Sequence, residues 1–136
     1  MGIIYVEAMV RRPDGRGRSI GVRLMVDTGA LYSVLPEEIW KPLRLEPMNV
    51  AEFSLADGSL ITRAVSECRF ELRRQAATSP VVLGKAGEGP LLGAVTLETM
   101  GLMLNPLTRE ISTMKLMLAA VRGATSLGSP RSPAPS

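Results

Sequence analysis

The chain has 136 residues, 46% of them hydrophobic and 21% charged, so it can build one domain with a real core and does not resemble a disordered protein. It has no histidine and a single cysteine, Cys68, which excludes an intrachain disulfide and argues against a zinc site or a histidine-activated thiol. The net charge is +3, and several arginines cluster around one turn together with Asp14. Because no aromatic residues are interleaved with them, we expect a solvated hairpin there and no nucleic-acid partner.

The first part of the chain predicts strands joined by tight turns. Residues 3–10 and 19–26 are strand-like and flank residues 13–17, where an Asp-Gly pair supplies a position that tolerates positive φ. Residues 31–35 form another apolar, strand-like piece. A proline followed by two glutamates then predicts a short helix over 36–40, because these residues suit a first helical turn.

The strongest hairpin signal is Ala56-Asp57-Gly58-Ser59, because its Asp-Gly pair lies between two β-forming runs, residues 51–55 and 60–72. Residues 84–89 form a glycine-bearing loop without the Gly-Lys-Ser/Thr ending of a phosphate loop, so they predict no nucleotide. The remaining predicted elements are strands over 80–83, 102–104 and 110–112, and a helix over 95–100 that ends at Gly101.

The two ends of the chain have their own composition. The first seven residues contain no basic segment followed by an unbroken apolar stretch, and no segment has the apolar length that spans a bilayer, so we expect a cytoplasmic protein without a membrane span. Residues 115–121 are apolar enough to be ordered, whereas residues 122–136 are rich in Gly, Ser and Pro. The composition therefore predicts one folded domain over 1–121 and a disordered tail over 122–136.

A single acidic motif, Val26-Asp27-Thr28-Gly29-Ala30, is the strongest candidate for chemistry. It follows an apolar run, so it places one carboxylate at the exit of a predicted strand, and Gly29 permits a sharp turn directly after it. Taken alone, Asp-Thr-Gly is also compatible with a plain β-turn. The motif occurs once, so a mechanism that needs two carboxylates takes the second from another chain.

The order of the motifs resembles that of the retropepsin-like aspartic proteases, and more closely their non-viral branch. Residues 26–30 resemble the catalytic loop, Ala56, Asp57, Gly58 and Ser59 fall where the flap hairpin lies, and Leu91, Leu92 and Gly93 resemble the segment that packs behind the loop. Residues 33–36 and 102–106 continue the likeness. The resemblance implies an all-β, closed-barrel-like protomer with a flap hairpin and one or two short helices, and it implies no metal and no organic cofactor.

The resemblance also gives roles to the neighbours of Asp27. Thr28 would join the two catalytic loops of a homodimer through hydroxyl-to-backbone hydrogen bonds, and Gly29 would leave the backbone close to the substrate. Ala94 stands where retroviral enzymes carry an arginine, and residues 31–33 replace their acidic residues. Because this ion-pair network is missing from the sequence, the dimer must be held by apolar contacts, for which residues 115–121 and the N-terminal strand are candidates.

Peptide hydrolysis in this family needs two carboxyls that share one proton and one water. The ionised carboxylate accepts a proton from the water while its protonated partner donates a hydrogen bond to the scissile carbonyl. Two ionised carboxylates about 3 Å apart repel by roughly 5 kcal/mol at an effective dielectric of about 20, so one of the pair stays protonated. The resemblance therefore implies an aspartic endopeptidase for extended polypeptides, in which Asp27 and its symmetry mate form the dyad of a homodimer.

Two other functions are compatible with the sequence. A retropepsin-like dimerisation or peptide-binding module without catalysis would share the motifs but not the reaction. A basic nucleic-acid-binding β-domain would bind its partner with a steep salt dependence.

We predict that peptide cleavage is fastest at mildly acidic pH. Pepsin-like enzymes commonly carry a hydroxyl residue at the position of Ala30, and the hydrogen bond that it donates favours the ionised dyad. Ala30 cannot donate this bond, so the optimum should lie above the strongly acidic range. A profile of kcat/KM against pH measures it, and a maximum at very low pH would contradict the prediction.

Overall fold

Nine strands and two short helices form the part of the chain that the structure describes, residues 2–114 of a computed structural model. Strands hold 47% of these residues and helices 9%, which confirms the all-β prediction. The helices are α1 (Glu37–Trp40) and α2 (Ala94–Thr99), and the strands are β1 (Tyr5–Arg11), β2 (Ile20–Val26), β3 (Ser33–Leu35), β4 (Asn49–Ser54), β5 (Leu60–Leu72), β6 (Gln75–Leu83), β7 (Leu91–Leu92), β8 (Leu102–Leu104) and β9 (Ile111–Thr113). Neither helix is long and apolar enough to cross a membrane.

Six of the strands close into a barrel. The order around it is β1-β2-β7-β3-β6-β5, and β5 pairs back with β1 to complete the circle. The β2–β7 and β3–β6 pairs are parallel, and the other pairs of the barrel are antiparallel. β4 pairs with the first half of β5 and forms a hairpin with it, while β8 and β9 form a separate two-stranded sheet.

Alternate side chains of the barrel strands fill the interior, as the two-residue period of a strand dictates. Along β5, Cys68, Phe70 and Leu72 are buried, whereas the charged residues between them are more exposed. Each of the other five barrel strands contributes at least one fully buried side chain: Val10, Leu24, Leu35, Val81 and Leu92. The core is therefore aliphatic around one phenylalanine, in keeping with the low aromatic content of the chain.

β6 is longer than the sequence predicted. It begins at Gln75 and not at Pro80, because β5 turns into β6 through Arg73 and Arg74, with Leu72 paired to Gln75. Arg73 adopts a left-handed φ of 57° although it is not a glycine. A turn without glycine or asparagine, followed by alanines of low strand propensity, gives no hairpin signal in the sequence, and the pairing with β5 decides the structure instead.

The other predicted elements are present with their ends shifted by a few residues at most. The strand predictions over 60–72 and 102–104 match β5 and β8, and the helix predicted over 95–100 is α2. Gly101 follows that helix with a φ of 72°, as its position at the helix end suggested. The apolar segment 115–121 and the tail 122–136 lie outside the described residues, so their predictions are untested.

We predict that Leu24→Ala destabilises the barrel by about 2–5 kcal/mol, because the fully buried Leu24 leaves a cavity in the core when it is truncated. Leu107→Ala is the matched control, since Leu107 is 91% exposed in the loop between β8 and β9. That control should change the free energy of unfolding by less than about 0.5 kcal/mol. Urea unfolding followed by circular dichroism measures both variants, and equal effects would contradict the core assigned to β2.

Candidate active site

Asp27 lies directly after β2, and backbone hydrogen bonds fix its position. Its N–H donates to the carbonyl of Leu92 over 3.0 Å, which continues the parallel β2–β7 pairing. The Gly29 N–H donates to Oδ1 of Asp27 over 2.9 Å, and the Ala30 N–H donates to the Asp27 carbonyl over 3.1 Å. The partly exposed carboxylate is therefore oriented by the turn that follows it.

The segment predicted to pack behind this loop makes close backbone contact with it. The Ala94 N–H donates to the carbonyl of Ala30 over 2.9 Å. A Cβ on Gly93 would lie 2.6 Å from the carbonyl carbon of Tyr32, which is too close for any residue but glycine. The structure thus brings together two of the three predicted motifs, the acidic loop and the Leu-Leu-Gly segment that contains β7.

Three buried hydroxyls secure this packing, and the sequence analysis did not single them out. The Oγ of Ser33 accepts the N–H of Gly93 over 3.0 Å and lies 2.5 Å from Oγ1 of Thr96. The same Thr96 oxygen lies 2.8 Å from Oγ of Ser79, which donates to the carbonyl of Pro80 over 3.2 Å. Each hydroxyl can therefore donate one hydrogen bond and accept one. The network ties β3 and β6 to α2, but its members are far apart in sequence and share no local pattern.

The hairpin of β4 and β5 turns at the four predicted residues, Ala56 to Ser59, all of which are exposed. Asp57 Oδ1 accepts hydrogen bonds from the hydroxyl of Ser59 over 2.6 Å and from its N–H over 2.9 Å. These bonds, the hydroxyl bond first, hold the pKa of the Asp57 carboxyl below its usual range. Gly58 has a φ of 89°, which explains why the turn needs an Asp-Gly pair.

A cleft of about 530 Å³ lies between the acidic loop and this hairpin. The loop supplies residues 29–32 to its lining, and the hairpin supplies residues 53–55. Tyr32 from the loop and Phe53 from the hairpin meet edge to face, with ring centroids 6.1 Å apart. Further apolar lining comes from Val34, Ile61 and Val82. The cleft thus starts two residues from Asp27 and is apolar over most of its surface.

The loop over 84–89 forms part of the cleft wall, and three contacts hold it in place. Trp40 Nε1 donates to the carbonyl at the start of the loop over 2.8 Å, so this tryptophan does more than pack on the core. The Glu38 carboxylate accepts a backbone N–H from the middle of the loop over 3.2 Å. Arg63 of β5 forms an ion pair of 3.1 Å with Glu88. No pattern in the sequence had indicated a role for Arg63 or Glu88.

Cys68 and the basic turn both lie outside the cleft lining. Cys68 is fully buried, and burial raises the pKa of its thiol to about 12, so it is an inert thiol. Arg12 forms hydrogen bonds of 2.8–3.2 Å with Asp14 and thereby lowers the pKa of Asp14 to about 2. Within residues 2–114, no three His, Cys, Asp or Glu side chains lie close enough to hold a metal ion.

No family model matches the chain, and no curated protein matches it. The function of the site therefore has to be inferred from the residues and their geometry.

We predict that Thr96→Val destabilises the protein by about 1–3 kcal/mol, because it leaves the buried hydroxyls of Ser33 and Ser79 without a shared partner. Thr99→Val is the matched control on the same helix, since Thr99 is exposed and its hydroxyl donates to the carbonyl of Val95 within the same helix. Thermal unfolding of both variants tests the difference. If Thr96→Val is as stable as Thr99→Val, the hydroxyl network does not hold the segment behind the acidic loop.

Proposed function

We propose that this chain is an aspartic endopeptidase of the retropepsin-like fold and that Asp27 supplies one carboxyl of its catalytic dyad. The observation that carries the proposal is the place of Asp27 at the exit of a barrel strand, with its carboxylate held by the Gly29 N–H beside a cleft that a hairpin borders. The closed six-stranded barrel and the close packing of Gly93 behind the loop support the same fold.

A second protomer supplies the other carboxyl. Thr28 and Gly29 are exposed directly after Asp27, so this face of the loop is accessible to a symmetry mate. An apolar groove of about 430 Å³ adjoins Thr28, and residues of α2 and β8 such as Leu97 and Met103 line it. Burial of this surface would stabilise a dimer in place of the ion pairs that the sequence does not provide.

In the proposed dimer, two copies of the Asp27 carboxyl share one proton. The ionised carboxylate takes a proton from a water molecule, whose oxygen attacks the scissile carbonyl carbon, while the protonated carboxyl donates a hydrogen bond to the carbonyl oxygen. The tetrahedral intermediate then collapses, the C–N bond breaks, and the leaving nitrogen takes up a proton from the dyad. Each carboxyl thus alternates between acid and base without any metal or cofactor.

The substrate in this proposal is an extended polypeptide. Such a chain can add as a strand beside the β4–β5 hairpin, whose tip at residues 56–59 would act as the flap. Alternate side chains of the bound strand would then point into the mostly apolar cleft that Tyr32 and Phe53 help to line. These features favour cleavage next to apolar residues of the substrate.

We predict that Asp27→Asn lowers kcat/KM for peptide cleavage by at least about a hundredfold, because an amide cannot accept and return the proton. Asp14→Asn is the matched control, since Asp14 is also a carboxylate held by hydrogen bonds after a strand, but no residue within four positions of it lines the cleft. Cleavage of a peptide library, with and without an inhibitor of aspartic proteases, measures both variants.

Equal cleavage by the wild type and Asp27→Asn, or no cleavage by either, would favour the binding module over the enzyme. Sedimentation of the wild type tests the shared dyad, because the mechanism requires a dimer. A protein that cleaves peptides while it sediments as a strict monomer at high concentration would contradict that mechanism.

A further inference from the structure

One ion pair lies in the lining of the otherwise apolar cleft. Arg63 projects from β5 and Glu88 from the 84–89 loop, and their side chains approach within 3.1 Å. Among residues 2–114, no other charged residue lines the cleft. The Arg63 side chain is only 17% exposed and that of Glu88 is 38% exposed, so the pair is partly withdrawn from water. Loss of either partner would leave the other charge partly buried and without compensation, which is energetically costly.

The environment of Glu88 favours the ionised form of its carboxyl group. Burial disfavours ionisation of Glu88, but the Lys85 N–H at 2.9 Å and the Arg63 guanidinium outweigh it, so the pKa of Glu88 lies below its usual range. The guanidinium of Arg63 faces this carboxylate as its cationic partner. Each charge is therefore compensated by the other, and the cleft carries no net charge of its own.

This arrangement discriminates between substrate side chains. A lysine or arginine that enters the cleft loses water and meets the like charge of Arg63, while the carboxylate that could attract it is already bound. A glutamate or aspartate meets Glu88 in the same way. An uncharged aromatic side chain avoids both costs and can pack against the rings of Tyr32 and Phe53.

We propose that Arg63 and Glu88 are specificity-determining residues, whose mutual pairing restricts the cleft to uncharged, preferably aromatic, side chains of a bound polypeptide. The cleavage of such substrates rests on the proposed function, but the selection of bound side chains does not depend on catalysis. The pair acts by disfavouring charged side chains. Contacts with an apolar wall alone would not provide this repulsive contribution to specificity.

Removal of one residue of the ion pair leaves the charge of the other without compensation. Each single variant should therefore shift the binding preference in its own direction. Arg63→Gln leaves the Glu88 carboxylate unpaired, so binding should shift towards lysine and arginine. Glu88→Gln leaves the Arg63 guanidinium unpaired, so binding should shift towards glutamate and aspartate. If the ion pair only stabilised the structure, its loss would instead weaken the binding of all peptides equally, without a change in preference.

The test uses the non-cleaving Asp27→Asn protein and a peptide library in which one fixed position, flanked by random residues, is tyrosine, lysine or glutamate. Retained peptides are counted by mass spectrometry. We expect tyrosine peptides to dominate on the Asp27→Asn protein, lysine peptides to gain about tenfold relative to tyrosine when Arg63→Gln is added, and glutamate peptides to gain about tenfold when Glu88→Gln is added.

Arg69→Gln is the matched control on the same strand, because Arg69 also pairs with a glutamate but lies outside the cleft lining. It should leave the preference unchanged, and circular dichroism confirms that each variant is folded. An unchanged preference in both cleft variants, the same shift in Arg69→Gln, or no retained peptide at all would overturn the proposal. If binding shifts as expected but the protein that retains Asp27 cleaves no peptide, the result would support the proposed role of Arg63 and Glu88 and overturn the proposed enzymatic function.

Discussion

The insertion of β7 between β2 and β3 is the contact on which the rest of the structure depends. This strand has only two residues, yet it pairs in parallel with β2 and in antiparallel with β3, and so completes the barrel. The same insertion lets Leu92 accept the N–H of Asp27 and presses Gly93 against the backbone of Tyr32. β7 therefore both closes the barrel and orients the candidate catalytic carboxylate. Both effects require that residue 93 has no side chain.

The sequence could predict the parts of the site that local chemistry determines. Asp-Gly at the hairpin tip requires the positive φ that Gly58 adopts, and the acidic motif follows its strand as the apolar run indicated. The contact of Ser33, Ser79 and Thr96 was not predictable, because it depends on the register with which distant strands meet. The ion pair of Arg63 and Glu88 was not predictable for the same reason. The start of β6 was not predictable either, because the preceding turn lacks the usual turn residues and pairing with β5 determines where the strand begins.

The position of Asp27 and the lining of the cleft depend on different parts of the molecule. Backbone hydrogen bonds to barrel strands place Asp27, so side-chain changes nearby do not move it readily. The cleft wall, in contrast, consists of side chains on the hairpin and on the 84–89 loop, which Trp40 and Glu38 attach to the barrel through α1. Substitutions in this wall can therefore change the lining of the cleft while Asp27 stays in place.

The pairing of Met25 with Leu91 also has a consequence for the order of folding. More than half of the described chain separates these two residues, so their contact closes a long loop at an entropic cost, and such contacts form slowly. A nascent chain that ends before residue 91 contains the acidic motif but not the strand that orients its carboxylate. The site is thus assembled only when almost the whole barrel has been synthesised, and fragments that carry Asp27 alone do not contain it.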